Sequence, residues 1–298
     1  MRTNSRRAGA YVCAIAVAVL WGLSFVAMKE AFGGGLTTFS IISVRLTVAA
    51  LCLLLLACAR GKSLAVRVRD LLGLALTGIL GITLYSFFEL RGLECTSPSV
   101  ASLIIATIPI FSLLAGVVLY RKETSAVTWL GVLTSLFGVY LLSFTEVGEN
   151  SAAGFAYLFG ACLCWVIYLE ITDRLLRRYS NLAVTFWQTF FALISVLPLA
   201  LRENVAWGAV SLKAWLWTGG FLGIVCSTLC YIMNNFSIAV LSPQMNSVFL
   251  NLSPVSTAVG SYFILGEIIT PSQCAGGVII LTSLFLVSEA NRRRKTKQ

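Results

Sequence analysis

At 298 residues, with 58% hydrophobic and only 11% charged side chains and a mean hydropathy of +0.89, the chain has too little polar surface to form a soluble domain. Its formal charge of +10 would suggest a nucleic-acid partner in a soluble protein, but the basic residues sit in short segments between apolar runs, so no nucleic acid is expected. The nine cysteines lie almost all within or beside apolar runs and no histidine is present to join them, so they are expected to pack as small apolar residues, with no bound metal or cofactor.

A helical membrane crossing needs about 20 apolar residues. Counting between charges predicts spans over residues 8–28, 36–59, 71–88, 97–120, 124–145, 154–169, 182–201, 214–233, 242–265 and 271–288, an all-α integral membrane protein of ten transmembrane helices. The first run follows a basic head, MRTNSRR, as in a signal peptide, but no small-x-small cleavage pattern ends it before Lys29, so it is expected to be retained. The eighth and ninth runs share one uncharged stretch, and only the polar patch from Asn234-Asn235 to Ser242-Pro243 divides them. With the N-terminus inside, seventeen Lys and Arg fall in inner segments, while Lys29, Arg91, Arg202 and Lys213 fall in outer ones and Arg45 lies within a span. That bias places both termini in the cytoplasm and the protein in the cell (plasma or inner) membrane.

The chain is also internally repeated. Residues 241–267, LSPQMNSVFLNLSPVSTAVGSYFILGE, copy residues 96–122, TSPSVASLIIATIPIFSLLAGVVLYRK, at an offset of 145, so that Pro98 matches Pro243 and Pro109 matches Pro254. At offsets of 143 to 145, Trp21 matches Trp165, Arg45 matches Gln188, Gly78 matches Gly223 and Glu89 matches Asn234. Residues 8–145 thus form a first five-helix repeat, residues 154–288 a second, and residues 289–298 a basic cytoplasmic tail. Five crossings per repeat is odd, so the second repeat enters the membrane from the opposite side. Inverted repeats are the architecture of secondary transporters, because two halves able to exchange conformations give inward-open and outward-open states of similar energy. The stripes Gly219, Gly223, Ser227, Tyr231 and Gly131, Ser135, Gly138 are read as close helix contacts.

The five-plus-five layout, Trp21-Gly22 in the first run, the Ser242-Pro243 opening of the ninth, and Leu265-Gly266-Glu267 with Gly276-Gly277 beyond it resemble the EamA branch of the drug/metabolite transporter superfamily. The resemblance covers about residues 12 to 287 and implies a carrier with a central cavity that moves small metabolites by alternating access. One local departure is Tyr120-Arg121-Lys122-Glu123, which lacks the Gly-Glu pair of the second repeat.

Several residues are candidates for the solute path. Pro109 and Pro254 cannot donate to the carbonyls of Ile105 and Leu250, so each is expected to be a hinge or packing kink. Asn246 and Asn251 stand where the first repeat has Ala101 and Ala106, and uncompensated amides do not face lipid. Arg45, in mid-span, costs about 2.5–3.5 kcal/mol to insert. It is either an anion site or an internal tether bonded to carbonyls or a Glu, and family resemblance favours the tether; Gln188 is its uncharged counterpart. Glu89 ends the third run about 18 residues in, roughly 27 Å at 1.5 Å per residue. That depth makes it an interfacial carboxylate in contact with water or Arg91, sharing a helix face with Tyr85, Gly81 and Thr77, and a cation or proton site only if that face turns inward. Trp21 and Trp165 sit near mid-depth, followed at helical spacing by Phe25, Met28 and Tyr168, as a gate, a stacking wall or core packing.

A membrane enzyme would need a histidine with carboxylates or a nucleophile beside its base, and the spans hold neither. The expected function is therefore secondary transport, most simply export, of an amino acid, amine or amphipathic metabolite across the lipid bilayer, with any proton coupling carried by a carboxylate. A nucleotide-sugar or sugar-phosphate exchanger is the alternative, and would need more basic residues than Arg45; a channel is a further one. For the topology, a cytoplasmic reporter fused after Gln298 should be active and a periplasmic reporter inactive, and the reverse pattern would overturn the ten-helix reading.

Overall fold

The computed structural model describes residues 2–112, 151–241, 249–272, 274–279 and 281–283, with isolated positions between 129 and 141 and at 243, 246 and 286. Most of the expected fifth span, the basic pair Arg121-Lys122, Ser135, Ser242 and the whole tail lie outside the described residues. Among those described, all regular structure is helical. The long helices are α1 (Arg2–Gly33), α2 (Thr38–Ala59), α3 (Val68–Glu94), α5 (Ala152–Leu176), α6 (Asn181–Ala200) and α7 (Leu212–Leu241), all apolar and long enough to cross a membrane. Shorter pieces are α4 (Pro98–Ser112), α8 (Ser253–Gly260) and α9 (Cys274–Ser283), the last spanning partly undescribed positions. Among the described residues, six helices are thus long and apolar enough to cross a membrane, and the expected fourth, ninth and tenth runs are represented by the shorter helices.

The starts are written in local chemistry. Ser97, Ser151, Ser180 and Ser211 each precede a helix in extended backbone and accept from the N–H three residues on, at 3.1 to 3.3 Å. Pro98 sits in the first turn of α4, where its missing N–H is no loss. The long helices overrun the runs counted between charges because their charged residues find partners. The third run, 71–88, extends to Glu94, since Arg91 pairs with Glu94 at 2.6 Å. The sixth, 154–169, reaches Leu176, with Asp173 paired to Arg177 at 2.8 Å. The eighth, 214–233, runs on to Leu241, so Asn234-Asn235 is helix interior and not the divider expected there.

The internal repeat reappears as duplicated geometry. α3 passes through a π-helical segment over Ile79–Leu84 and α7 through one over Leu216–Leu229, ending at positions 145 apart. Gly78 of α3 lies against the backbone of α6, where an added Cβ would stand 2.4 Å from the Gln188 carbonyl oxygen. Its counterpart Gly223 of α7 lies against α2, where a Cβ would stand 2.9 Å from Val48 and 3.4 Å from the carbonyl oxygen of Arg45, the counterpart of Gln188. Each repeat therefore packs its third helix on the second helix of the other, and the core between them belongs to neither alone.

Both ends of the bundle are tied across the repeats. At the end where α1 finishes, the Glu203 carboxylate receives the Phe39 and Ser40 N–H groups at 3.2 and 2.9 Å and the Thr37 hydroxyl, capping α2 from the segment after α6. Lys213 pairs there with Glu30. At the opposite end Asp70 of α3 accepts from Arg178 at 2.9 Å and Tyr179 at 2.5 Å, beyond α5, and the Trp187 indole donates to the Leu64 carbonyl at 2.7 Å. The glycine contact is directly testable. Gly78→Ala should destabilise by roughly 1–3 kcal/mol through overpacking, read as a drop in thermal unfolding temperature. Gly73→Ala, whose Cβ would sit 3.7 Å from the Leu175 side chain, should leave that temperature nearly unchanged.

Candidate functional site

Where α1, α2, α3, α5 and α7 converge with the broken segments before α8 and within α4, they enclose one cavity. α1 supplies Trp21, Ser24 and Phe25; α2 supplies Arg45; α3 supplies Tyr85 and Glu89; α5 supplies Trp165; and α7 supplies Cys226 and Tyr231. Ile105, Leu250 and Ser253 complete the wall. Its free volume is ≈ 30 Å³, room for a water molecule or two and far short of the several hundred Å³ typical of an organic ligand's pocket.

The polar groups of the wall are held apart. Arg45, buried at 6% exposure, donates from Nη2 to Ser86 Oγ at 3.0 Å, while Nη1 lies 4.0 Å from Met28 Sδ. Glu89, buried at 5% exposure, accepts from the Tyr85 hydroxyl at 2.7 Å. Among the described residues the guanidinium and this carboxylate form no ion pair with each other. The expectation of an interfacial Glu89 touching Arg91 is thereby corrected: α3 continues past it to Glu94, Arg91 takes Glu94, and Glu89 faces the protein interior. The reading of Arg45 as a tether to carbonyls or a Glu is likewise revised, since its partner is a serine hydroxyl and its Nε has none among the described residues.

The two tryptophans meet edge to face, ring centroids 5.3 Å apart, with Tyr231 5.5 Å from Trp21 and Tyr85 4.9 Å from Trp165. Trp21 donates its indole N–H to the Cys226 carbonyl at 3.2 Å, whereas Trp165, 2% exposed, has no partner for Nε1 among the described residues. An unsatisfied buried donor costs about 1–3 kcal/mol, so Arg45 Nε and Trp165 Nε1 are two energetic debts on one wall.

Tyr168, Gln188 and Asn246 do not line this cavity. They belong to a second, fully buried cluster toward the end of the bundle where α5 finishes. Tyr168 stacks on Trp165 at 4.7 Å and donates to Asn235 Oδ1 at 2.8 Å; Asn235 donates to Thr185 at 2.9 Å and Gln188 at 3.3 Å; Gln188 donates to Thr172 at 2.9 Å. Asn246 donates to Asn234 Oδ1 at 2.8 Å. This network lets α7 run through Asn234-Asn235: Asn235 is held by α5 and α6, while Asn234 accepts from Asn246 and its Nδ2 has no partner among the described residues. The side chain of Asn251 lies outside the described residues.

Both proline helices break at the cavity. α4 interrupts at Ala106-Thr107, just before Pro109, with Ile105 on the wall; α8 is preceded by a 3₁₀ turn, Leu250–Leu252, and carries Pro254 in its first turn. The carbonyl expected to be freed at Leu250 is taken by the Ser253 N–H. In α4 the Ile104 carbonyl accepts from the Thr107 N–H and hydroxyl at 2.9 and 2.6 Å. Cys226 and Tyr231, read from sequence as packing residues, are on the wall; the available signal was that Tyr231 lies 145 positions after Ser86, the partner of Arg45.

Comparison with known proteins adds to this geometry. The sequence profile of the EamA-like transporter family matches residues 8–144 and 152–289. An uncharacterized transporter of Bacillus subtilis, YdfC, is 25% identical over 93% of this chain and 90% of its own. A probable terminal-alkyne amino-acid exporter of Streptantibioticus cattleyicolor is 25% identical over 93% and 92%. A solved crystal structure superposes with a TM-score of 0.69 at 17% identity, over 94% of this chain and 98% of that one, a likeness of fold.

Proposed function

We infer that this chain, which belongs to the EamA-like transporter family, is a secondary carrier that exports a small organic metabolite (an amino acid, an amine or an amphipathic compound) by alternating access of two inverted five-helix repeats. The observation that carries this reading is the cavity lined by residues of both repeats, with Arg45 and Glu89, unpartnered donors and two helix breaks on its wall. A fixed pore needs none of these. A carrier needs a site too small in its closed form to leak and walls able to re-form on either side, and a broken helix can bend where an intact one cannot.

With both termini in the cytoplasm, the cavity's charged residues lie toward the outer face, where the Glu203 cap ties the start of α2 and the Lys213–Glu30 pair joins α7 to α1. The amide cluster then lies toward the inner face, closed by Asp70 with Arg178 and Tyr179. Opening alternates between these two seals, with Pro109 and Pro254 as the hinges. Glu89 is the carboxylate on the cavity wall and thus the group through which proton coupling would run. Export of an amino acid or a related compound is favoured by the likeness to the S. cattleyicolor exporter. A nucleotide-sugar or sugar-phosphate substrate is disfavoured, because a multiply charged phosphate would meet one guanidinium and a facing carboxylate.

In proteoliposomes, counterflow across a panel of amino acids, amines and sugar phosphates should saturate for at least one solute of the first two classes. Pro109→Ala and Pro254→Ala should each slow turnover about three- to tenfold with little change in the amount of folded protein. Non-saturating flux would contradict the carrier reading, and unchanged turnover in both variants would contradict the hinges.

A further inference from the structure

We propose that the start of α3 and the end of α5 form a binding site for the phosphate of an anionic phospholipid, gripped between Arg69 and Arg178 and holding the inner seal closed. The binding follows from the contacts at that end of the bundle; its effect on the seal rests on the carrier reading above. Asp70, in the first turn of α3, draws a guanidinium from each repeat: Arg178 donates to Oδ1 at 2.9 Å, and Arg69 Nε lies 3.8 Å from Oδ2. The Tyr179 hydroxyl donates to the same carboxylate and accepts from the Arg67 N–H at 3.2 Å. Two guanidiniums on one carboxylate leave one positive charge over, and a phosphodiester brings one negative charge. The Arg69 and Arg178 side chains are 67% and 60% exposed, so a phosphate arriving from outside the bundle can reach both forks.

Orientation bias accounts for basic residues at this end, but not for a carboxylate that gathers one from each repeat. Lys62, Arg67 and Arg177 stand near the pair, all exposed, and Asp173 is already taken by Arg177. Basic clusters at the cytoplasmic ends of membrane helices attract anionic headgroups. The site's surroundings select a lipid over a free phosphate. Val68, Leu72 and Leu76 follow one another at four-residue steps along one face of α3, and all three are exposed. A ligand seated on Arg69 thus has an apolar strip beside it, which acyl chains cover and inorganic phosphate does not. Arg69 belongs to the first repeat and Arg178 to the second, so opening the inner seal draws them apart and divides the site. A ligand that binds one state better shifts the balance toward it, and the lipid therefore favours the inner-closed form.

The test follows the thermal unfolding temperature of the purified full chain in detergent micelles as phosphatidylglycerol, phosphatidylcholine or inorganic phosphate is added, since a ligand of the folded state raises it by mass action. Phosphatidylglycerol should raise it saturably and well beyond phosphatidylcholine at the same mole fraction, and inorganic phosphate should leave it unchanged. Arg69→Gln, which keeps the Asp70–Arg178 pair, should raise the half-saturating fraction of phosphatidylglycerol about three- to fivefold. Arg202→Gln, at an exposed position of the opposite end, should not move it. In vesicles, an impermeant thiol reagent at the inner face should modify Cys226 about threefold more slowly in phosphatidylglycerol than in phosphatidylcholine, each rate taken relative to the exposed Cys58. The proposal is overturned if the two lipids act alike, if inorganic phosphate matches phosphatidylglycerol, if Arg69→Gln binds as the native chain does, or if that relative rate is equal in both lipids. Failure to modify Cys226 from the inner face in either lipid would contradict the carrier reading instead, and the titration alone would then decide the lipid site.

Discussion

Inside a bilayer a polar group has no water to fall back on, and that constraint organises this structure more than any single apolar contact. Arg45 and Glu89 are buried in a span that could have been all hydrocarbon, and their cost is offset only in part, by Ser86 and Tyr85. In the proposed reading, groups this expensive and incompletely satisfied serve transport more than stability. The surrounding packing follows from keeping these groups enclosed. Gly78 and Gly223 let the third helix of each repeat close on the second helix of the other.

The duplication is close in backbone and loose in chemistry. The π-helical segments end at equivalent positions and the glycine contacts are mirrored, yet Arg45 and Glu89 on one side correspond to Gln188 and Asn234 on the other. In the proposed carrier, two halves alike in these contacts and different in their polar groups would give two closures of different energy. The amide cluster of Tyr168, Thr185, Gln188 and Asn235 is almost fully bonded within itself, whereas the cavity wall keeps donors in reserve. In the proposed orientation the solute meets a charged site toward the outside and a neutral amide cluster toward the inside.

Much of this could be read without coordinates. The 145-residue offset picked out both helix breaks, and the isolation of Arg45 among apolar residues and of Trp21 and Trp165 at mid-depth led to one wall of the cavity. Counting between charges treats a carboxylate as the end of a span and so puts Glu89 in contact with water or Arg91, whereas α3 runs on to Glu94 and the Tyr85 hydroxyl holds Glu89 inside the protein. Helical spacing from Trp165 points to Tyr168, the repeat match to Arg45 points to Gln188, and the cost of an amide facing lipid points to Asn246, but none of these signals shows which neighbour the side chain meets. Cys226 and Tyr231 escaped notice for the same reason: their side chains look like packing until α7 is placed against α1.

Cys226 gives the account its most direct test, because it is a native thiol on the wall of the shared cavity, 3% exposed, beneath both seals. A membrane-impermeant methanethiosulfonate reagent applied to right-side-out or to inside-out vesicles, with modification read peptide by peptide, reports whether that wall opens to each face, and the exposed Cys58 serves as the marker of sidedness. Alternating access predicts slow modification of Cys226 from both faces, slower still when Pro109 or Pro254 is replaced by Ala, while Cys58 is modified from one face only. Modification of Cys226 from a single face, or from neither, would contradict it.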